Sequence, residues 1–175
     1  NYGYWAGGES PSGGRTWIAR IDFSNDNTGS VHNSGALALA SYSQSAAGNQ
    51  SYGYVISGYN PFVGRTTKYC RINYSNDTLQ AAHRGNIVYG RNFTAATGNA
   101  SYGYVGGGAP ESTAGTRVER IDYSNDTANA LHKGNLSVGR MMFAATGNQS
   151  YGYFSGGKSD IGSFPGNTSR TDRID

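Results

Sequence analysis

Large aliphatic side chains are scarce: five leucines and seven valines stand in 175 residues. No apolar run approaches the roughly 18 residues that a membrane-spanning helix needs. The single cysteine, Cys70, excludes an internal disulfide and cannot build a zinc site, so it leaves the redox compartment open. Charge is thin as well. Charged residues make up 14% of the chain, the net charge is +3, and no window gathers Lys or Arg, a poor footprint for nucleic acid. Neither an initiator Met nor a secretory signal is found, and the expectation is a fragment or a processed product.

Glycine (27 residues) and tyrosine (14) dominate instead. Tyrosine supplies the apolar area that aliphatics do not, which argues against disorder at so low a net charge. Glycine, aromatic and β-branched residues suit strands and turns, which argues against a helical bundle.

Self-similarity organises the chain, with a period near 50 residues. Tyr2-Gly3-Tyr4 recurs as Tyr52-Gly53-Tyr54, Tyr102-Gly103-Tyr104 and Tyr151-Gly152-Tyr153. A second landmark follows as Arg20-Ile21-Asp22, Arg71-Ile72-Asn73, Arg120-Ile121-Asp122 and Arg173-Ile174-Asp175. Three copies then carry Ser-Asn-Asp, ending at Asp26, Asp77 and Asp126. The units are about 1–50, 51–100, 101–149 and a partial 150–175 within one segment, 1–175. Each unit reads as four short strands. In the third and the start of the fourth these are expected at 117–123, 130–138, 140–146 and 150–156, with Gly-Asn pairs supplying positive-φ hairpin turns. The chain therefore opens on a second strand and closes on a third, giving three, four, four and three strands. A four-stranded sheet of 50 residues cannot bury both faces alone, so copies must stack, and stacking about an axis gives a β-propeller. The glycine doublets 7–8, 107–108 and 156–157 allow close backbone approach, with Ser57-Gly58 in the second copy.

An apolar strand ending in Gly-Gly with a later Arg-Ile-Asp strand resembles kelch repeats. More narrowly, Tyr-Gly-Tyr-Val-Gly-Gly-Gly at 102–108, with Arg-Ile-Asp-Tyr-Ser-Asn-Asp-Thr at 120–127 and Ala-Ala-Thr-Gly-Asn at 144–148, is similar to repeats of tail-fibre-like proteins of marine bacterial viruses of the cyanophage type. The resemblance spans essentially the whole chain. It departs from kelch in lacking the tryptophan after the third strand, where His32, His83 and His132 lie. It implies an all-β, kelch-like propeller segment of a viral appendage, on the virion surface or extracellular, that contacts a host-surface glycan or another virion protein. The unpaired edges of the interrupted outer blades are an aggregation hazard, which favours neighbouring chain or partner subunits completing them. The rival readings are a purely structural repeat protein and a secreted glycan-processing enzyme.

Length varies between the second and third strands. From Tyr-Gly to Arg-Ile the separations are 18, 19, 18 and 22 residues, against 32, 31 and 31 from Arg-Ile onward. The variable segments 9–17, 59–68, 109–117 and 158–170 hold all four prolines. In an up-and-down blade they emerge on the same face as the blade-to-blade connections, and loops on a rigid scaffold are the usual place for recognition. The candidate ligand-binding residues are Trp17, Tyr59, Asn60, Phe62, Arg65, Glu111, Lys158, Asp160 and Phe164, with aromatics as anchors.

No catalytic or metal site is expected, nor any cofactor. The three histidines share one repeat position, which places them on different blades, too far apart for one zinc ion. Asp22-x-Ser24-x-Asp26 and Asp122-x-Ser124-x-Asp126 partly imitate a calcium loop but lack its glycine and late glutamate, and an Asx turn explains the same residues. Arg91 and Arg140 recur after glycine, with Ser41 in the first copy, as expected of a structural bond. The nine Asn-x-Ser/Thr sequons follow from turns rich in those residues. Catalysis needs unlike residues converging on one point, whereas this sequence repeats like residues.

Overall fold

The computed structural model describes residues 2–25, 27, 31–111, 113–159 and 166–175, with the backbone alone at 31–33. The protein is all-β, built from small antiparallel sheets. The first holds β1 (Tyr2–Ala6), the two-residue β2 (Glu9–Ser10), β3 (Gly13–Asp22) and β4 (Val31–Ser41). The second holds β5 (Ser45–Gly48), β6 (Tyr52–Ile56), β9 (Lys68–Asn73) and β10 (Ala82–Asn86), while β7 (Tyr59–Asn60) and β8 (Gly64–Arg65) form a separate short hairpin. The third is β11 (Ala95–Gly98), β12 (Tyr102–Gly106), β13 (Arg117–Asp122) and β14 (Leu131–Asn135). The fourth is β15 (Ala144–Gly147), β16 (Gly152–Ser155) and β17 (Thr171–Ile174). Setting aside β2, β7 and β8, the principal strands number three, four, four and three, each sheet an up-and-down meander.

Each repeat landmark has a place in this register. Tyr54 faces Arg71 across β6 and β9, Tyr104 faces Arg120 across β12 and β13, and Tyr4 faces Arg20 across β1 and β3. The central glycine of Tyr-Gly-Tyr answers to the ring that follows the Arg-Ile strand. A Cβ on Gly103 would lie 2.6 Å from the Tyr123 hydroxyl, and one on Gly53 2.7 Å from that of Tyr74. Only glycine lets those rings lie flat on the sheet.

The core sits between consecutive sheets. Ile18 of the first packs with Val55, Cys70 and Ile72 of the second. Tyr54, Ile56 and Tyr69 of the second pack with Val105, Ile121 and Tyr123 of the third. Val118 and Leu136 of the third pack with Phe154 of the fourth. Each such side chain contributes about 1.5–3 kcal/mol when fully buried. Tyrosine crosses these boundaries by stacking: Tyr54 lies on Tyr123 at 4.6 Å and 3°, and Tyr4 on Tyr74 at 4.8 Å and 12°.

The polar ends of those rings are tied down in the same direction. The Tyr54 hydroxyl donates to Asp126 at 2.8 Å, and Arg71 and Arg84 donate to the same carboxylate, the nearest Arg84 contact at 2.6 Å. One sheet earlier, Tyr4 and Arg20 donate to Asp77 at 2.8 and 2.7 Å. The guanidinium that reaches forward also covers the first tyrosine of its landmark, with Arg71 4.3 Å from Tyr52 and Arg120 4.1 Å from Tyr102. A Tyr-Gly-Tyr…Arg-Ile pair on one sheet thus grips the Ser-Asn-Asp turn of the next.

Two expectations from sequence need correction. The Gly-Asn turns contain no positive φ, since none is found at 48–49, 98–99 or 147–148. The asparagine side chain closes them instead: Asn99 Oδ1 accepts from the backbone N–H groups of Ser101 and Tyr102, both at 2.9 Å. Positive φ belongs to the doublets, with Gly107 at +57° and Gly108 at +86°, and Ser57 at +63° in the second unit. Secondly, no strand runs over 140–146. Met142 sits at φ +52°, matching Phe93 at +57° and Ser43 at +56°, and this left-handed residue breaks the pleat so that β15 begins at Ala144.

Candidate functional site

The variable loops and the sheet-to-sheet connections share one end of the strands. Tyr42 and Tyr59 exchange backbone hydrogen bonds at 3.0 and 2.8 Å, as do Asn92 with Ala109 and Met141 with Lys158. Each pair ties the connection leaving one sheet to the loop after the second strand of the next. Successive loops also touch one another. A Cβ on Gly13 would lie 3.1 Å from the Pro61 ring, and Arg65 donates to the Glu111 carbonyl at 2.9 Å. A band of irregular backbone therefore runs over the first three units.

Of the nine candidates, Tyr59, Phe62 and Arg65 share the β7–β8 hairpin, and Arg65 bonds to Glu111 on the next loop. Tyr59, half-buried, sets its ring 5.4 Å from that of Tyr42. Phe62 stands 90% exposed at the tip of the β7–β8 hairpin, beside exposed Val63. Exposed Arg65 reaches across to exposed Glu111. Trp17 is 56% exposed under the Arg15 guanidinium at 4.8 Å, but it lies in β3, paired with Ala36, and not in a loop. Its local sequence Gly13-Gly14 turns the chain early, so the strand begins four residues before it.

Asn60 is placed differently from its neighbours on the hairpin. It is 2% exposed, its Nδ2 donates to the Ala40 carbonyl at 2.7 Å, and its Oδ1 accepts from the N–H groups of Phe62 and Val63. It shapes the hairpin that carries Phe62. Lys158 is half-buried, its backbone bridged to Met141 and Asn167. Asp160 and Phe164 lie outside the described residues.

Sequence reasoning missed an aromatic cleft at the opposite end of the strands. It has a volume of about 1090 Å³ between the first and second sheets, walled by Tyr2, Tyr4, Phe23, Tyr52 and Tyr74 and floored by the Asn49–Ser51 turn. The signal was the tyrosine phase itself, which sets aromatic rings at each boundary.

The remaining constellations are accounted for within the protein. His32, His83 and His132 fall on β4, β10 and β14, the outer strands of three sheets, and His132 Nε2 lies 2.9 Å from the Gly134 carbonyl. Asp122 Oδ1 accepts from Ser124 N and Oγ at 2.9 and 2.7 Å, capping the 3-10 turn Tyr123–Asn125; these bonds hold its carboxyl below the usual range. Asp126 takes the arginines. Among the described residues no group of three or more metal-ligating side chains gathers. Arg91 and Arg140 are buried against Glu119 and Asp172, the structural bond expected of them. No family model matches the chain, and no curated protein matches it.

Proposed function

We propose that the protein is a kelch-like β-propeller segment that serves as a non-catalytic recognition module, a tail-fibre-like component at a virion surface or in an extracellular setting. Its ligand is a host-surface glycan or a neighbouring virion protein, held on the loops between second and third strands. One observation carries this reading: loops of successive sheets meet in one band, anchored by backbone pairs, with Phe62 held 90% exposed at a tip that Asn60 rigidifies from below. A large apolar side chain fixed in water on a rigid hairpin loses little freedom on binding. Sheets that pack face to face through their inter-sheet cores support the propeller arrangement.

The test is a glycan array probed with the 175-residue protein and with a Trp17→Ala/Tyr59→Ala/Phe62→Ala variant. Recognition requires binding that the triple variant loses while its melting behaviour stays close to the parent. Turnover of an oligosaccharide would replace this reading with the enzyme. A purely structural role is the second reading, favoured by the outer edges of β1 and β17, which pair with nothing among the described residues. It predicts no glycan bound and association through those edges.

A further inference from the structure

We infer that the third sheet carries a carboxylate socket made by Tyr104, Arg120 and Lys133, and that its occupant is the aspartate of a Tyr-Ser-Asn-Asp turn on a segment that goes on to pair with β17. The template is the socket one sheet earlier. There Tyr54, Arg71 and Arg84 converge on Asp126. The positions correspond one by one. Tyr104 faces Arg120 as Tyr54 faces Arg71. Lys133 follows His132 on β14 as Arg84 follows His83 on β10. Arg120 also lies, as Arg71 does, over the ring of the first tyrosine of its landmark.

The donors of the third sheet, however, meet no acid. Among the described residues Arg120 and Lys133 form no ion pair, and Arg120 Nε is buried with no hydrogen-bond partner. Two cationic groups and a phenol at positions whose counterparts one sheet earlier converge on a carboxylate favour an anion. Which anion follows from the neighbouring strand. Tyr104 lines a crevice with Ile174 and Asp175. At the preceding boundary, Tyr123 directly follows β13 and stacks on Tyr54, three residues before Asp126. A segment that prolongs the line of β17 in this pattern sets its tyrosine on Tyr104 and its aspartate between Tyr104, Arg120 and Lys133. The strand after that turn then meets the outer edge of β17, as β14 meets β13. Edge addition supplies main-chain hydrogen bonds and the carboxylate supplies register. This inference shares with the proposed function only the idea that adjoining polypeptide completes the outer sheets; glycan binding and peptide binding can each fail alone.

The probe is a synthetic peptide with the sequence of residues 123–138, added in trans to the 175-residue protein. Saturable binding by calorimetry is expected, with new amide-exchange protection confined to β17 and its surroundings. Replacing the peptide's aspartate by asparagine weakens binding about tenfold or more. Arg120→Gln in the protein weakens it similarly, and the two changes together add little. The peptide substitution leaves the protein intact, so it stands even if Arg120→Gln disturbs folding. Absence of saturable binding, equal affinity for the asparagine peptide, or protection appearing elsewhere would overturn the inference.

Discussion

Arg91 and Glu119 meet at 2.8 Å where the second sheet hands over to the third, the guanidinium 2% and the carboxylate 0% exposed. Glu119 also accepts from the Val88 N–H and from Arg117, both at 3.0 Å. Arg140 and Asp172 repeat the pair one boundary later. At the first boundary the same two positions are Ser41 and Cys70, which line a small cavity. The repeat thus exchanges both partners together, a charged pair for a neutral one, because a buried charge left alone is far costlier than either arrangement.

Arg91→Ala or Glu119→Gln is therefore expected to cost about 3–5 kcal/mol in urea unfolding. The double replacement Arg91→Ser/Glu119→Cys, which copies the first boundary, is expected to cost clearly less than the sum of its single changes. Additive single costs would show that the two side chains act independently.

Acid should loosen the second boundary first. Burial works to raise the Asp126 pKa, but hydrogen bonds from Arg84 and Tyr54 and the charge of Arg71 outweigh it, and the net direction is down. A carboxyl depressed in the folded state adds stability that is complete above its unfolded pKa of about 3.9 and is lost as pH falls through the folded value. Unfolding midpoints measured from pH 6 down to pH 2 should fall steeply below about 4, and more gently in Asp126→Asn.

Glycine replacements separate crowding from backbone strain. Gly103→Ala drives a Cβ to within 2.6 Å of the Tyr123 hydroxyl, and a loss of about 1–3 kcal/mol is expected together with weakened Tyr54–Tyr123 stacking. Gly64, at φ +80° with nothing within 4 Å, should lose only about 1–2 kcal/mol on the same change. Near-ultraviolet circular dichroism should report the first and not the second.

Cys70 gives a probe of opening. The thiol is buried, and burial pushes its pKa up against smaller opposing effects from the Ala38 backbone and Lys68. A thiol reagent should label the native protein far more slowly than the urea-unfolded one. Asp77→Asn, which weakens the grip of Tyr4 and Arg20 on the second sheet, should speed native labelling.

Much of the fold was legible. The fifty-residue phase located the sheets and the strand tally because each strand is local: Tyr-Gly-Tyr pairs with Arg-Ile within 22 residues. The variable segments likewise announced themselves by length and proline. Strand ends were less legible. Met142 carries no turn signal, yet a left-handed backbone there sets where β15 starts. Asn60 looked like a surface polar residue beside proline, and only the packing of β7 against Ala40 shows it turned inward.

Sequence alone thus determined the repeat, the antiparallel sheets and the loops that depart from the pattern, since side-chain alternation and turn chemistry act over a few residues. Tertiary structure decided what the landmarks are for. The tyrosine and arginine that recur in one unit bond to the aspartate of the next, 55 to 73 residues along the chain, and proximity of that kind is created by the packing of one sheet on another.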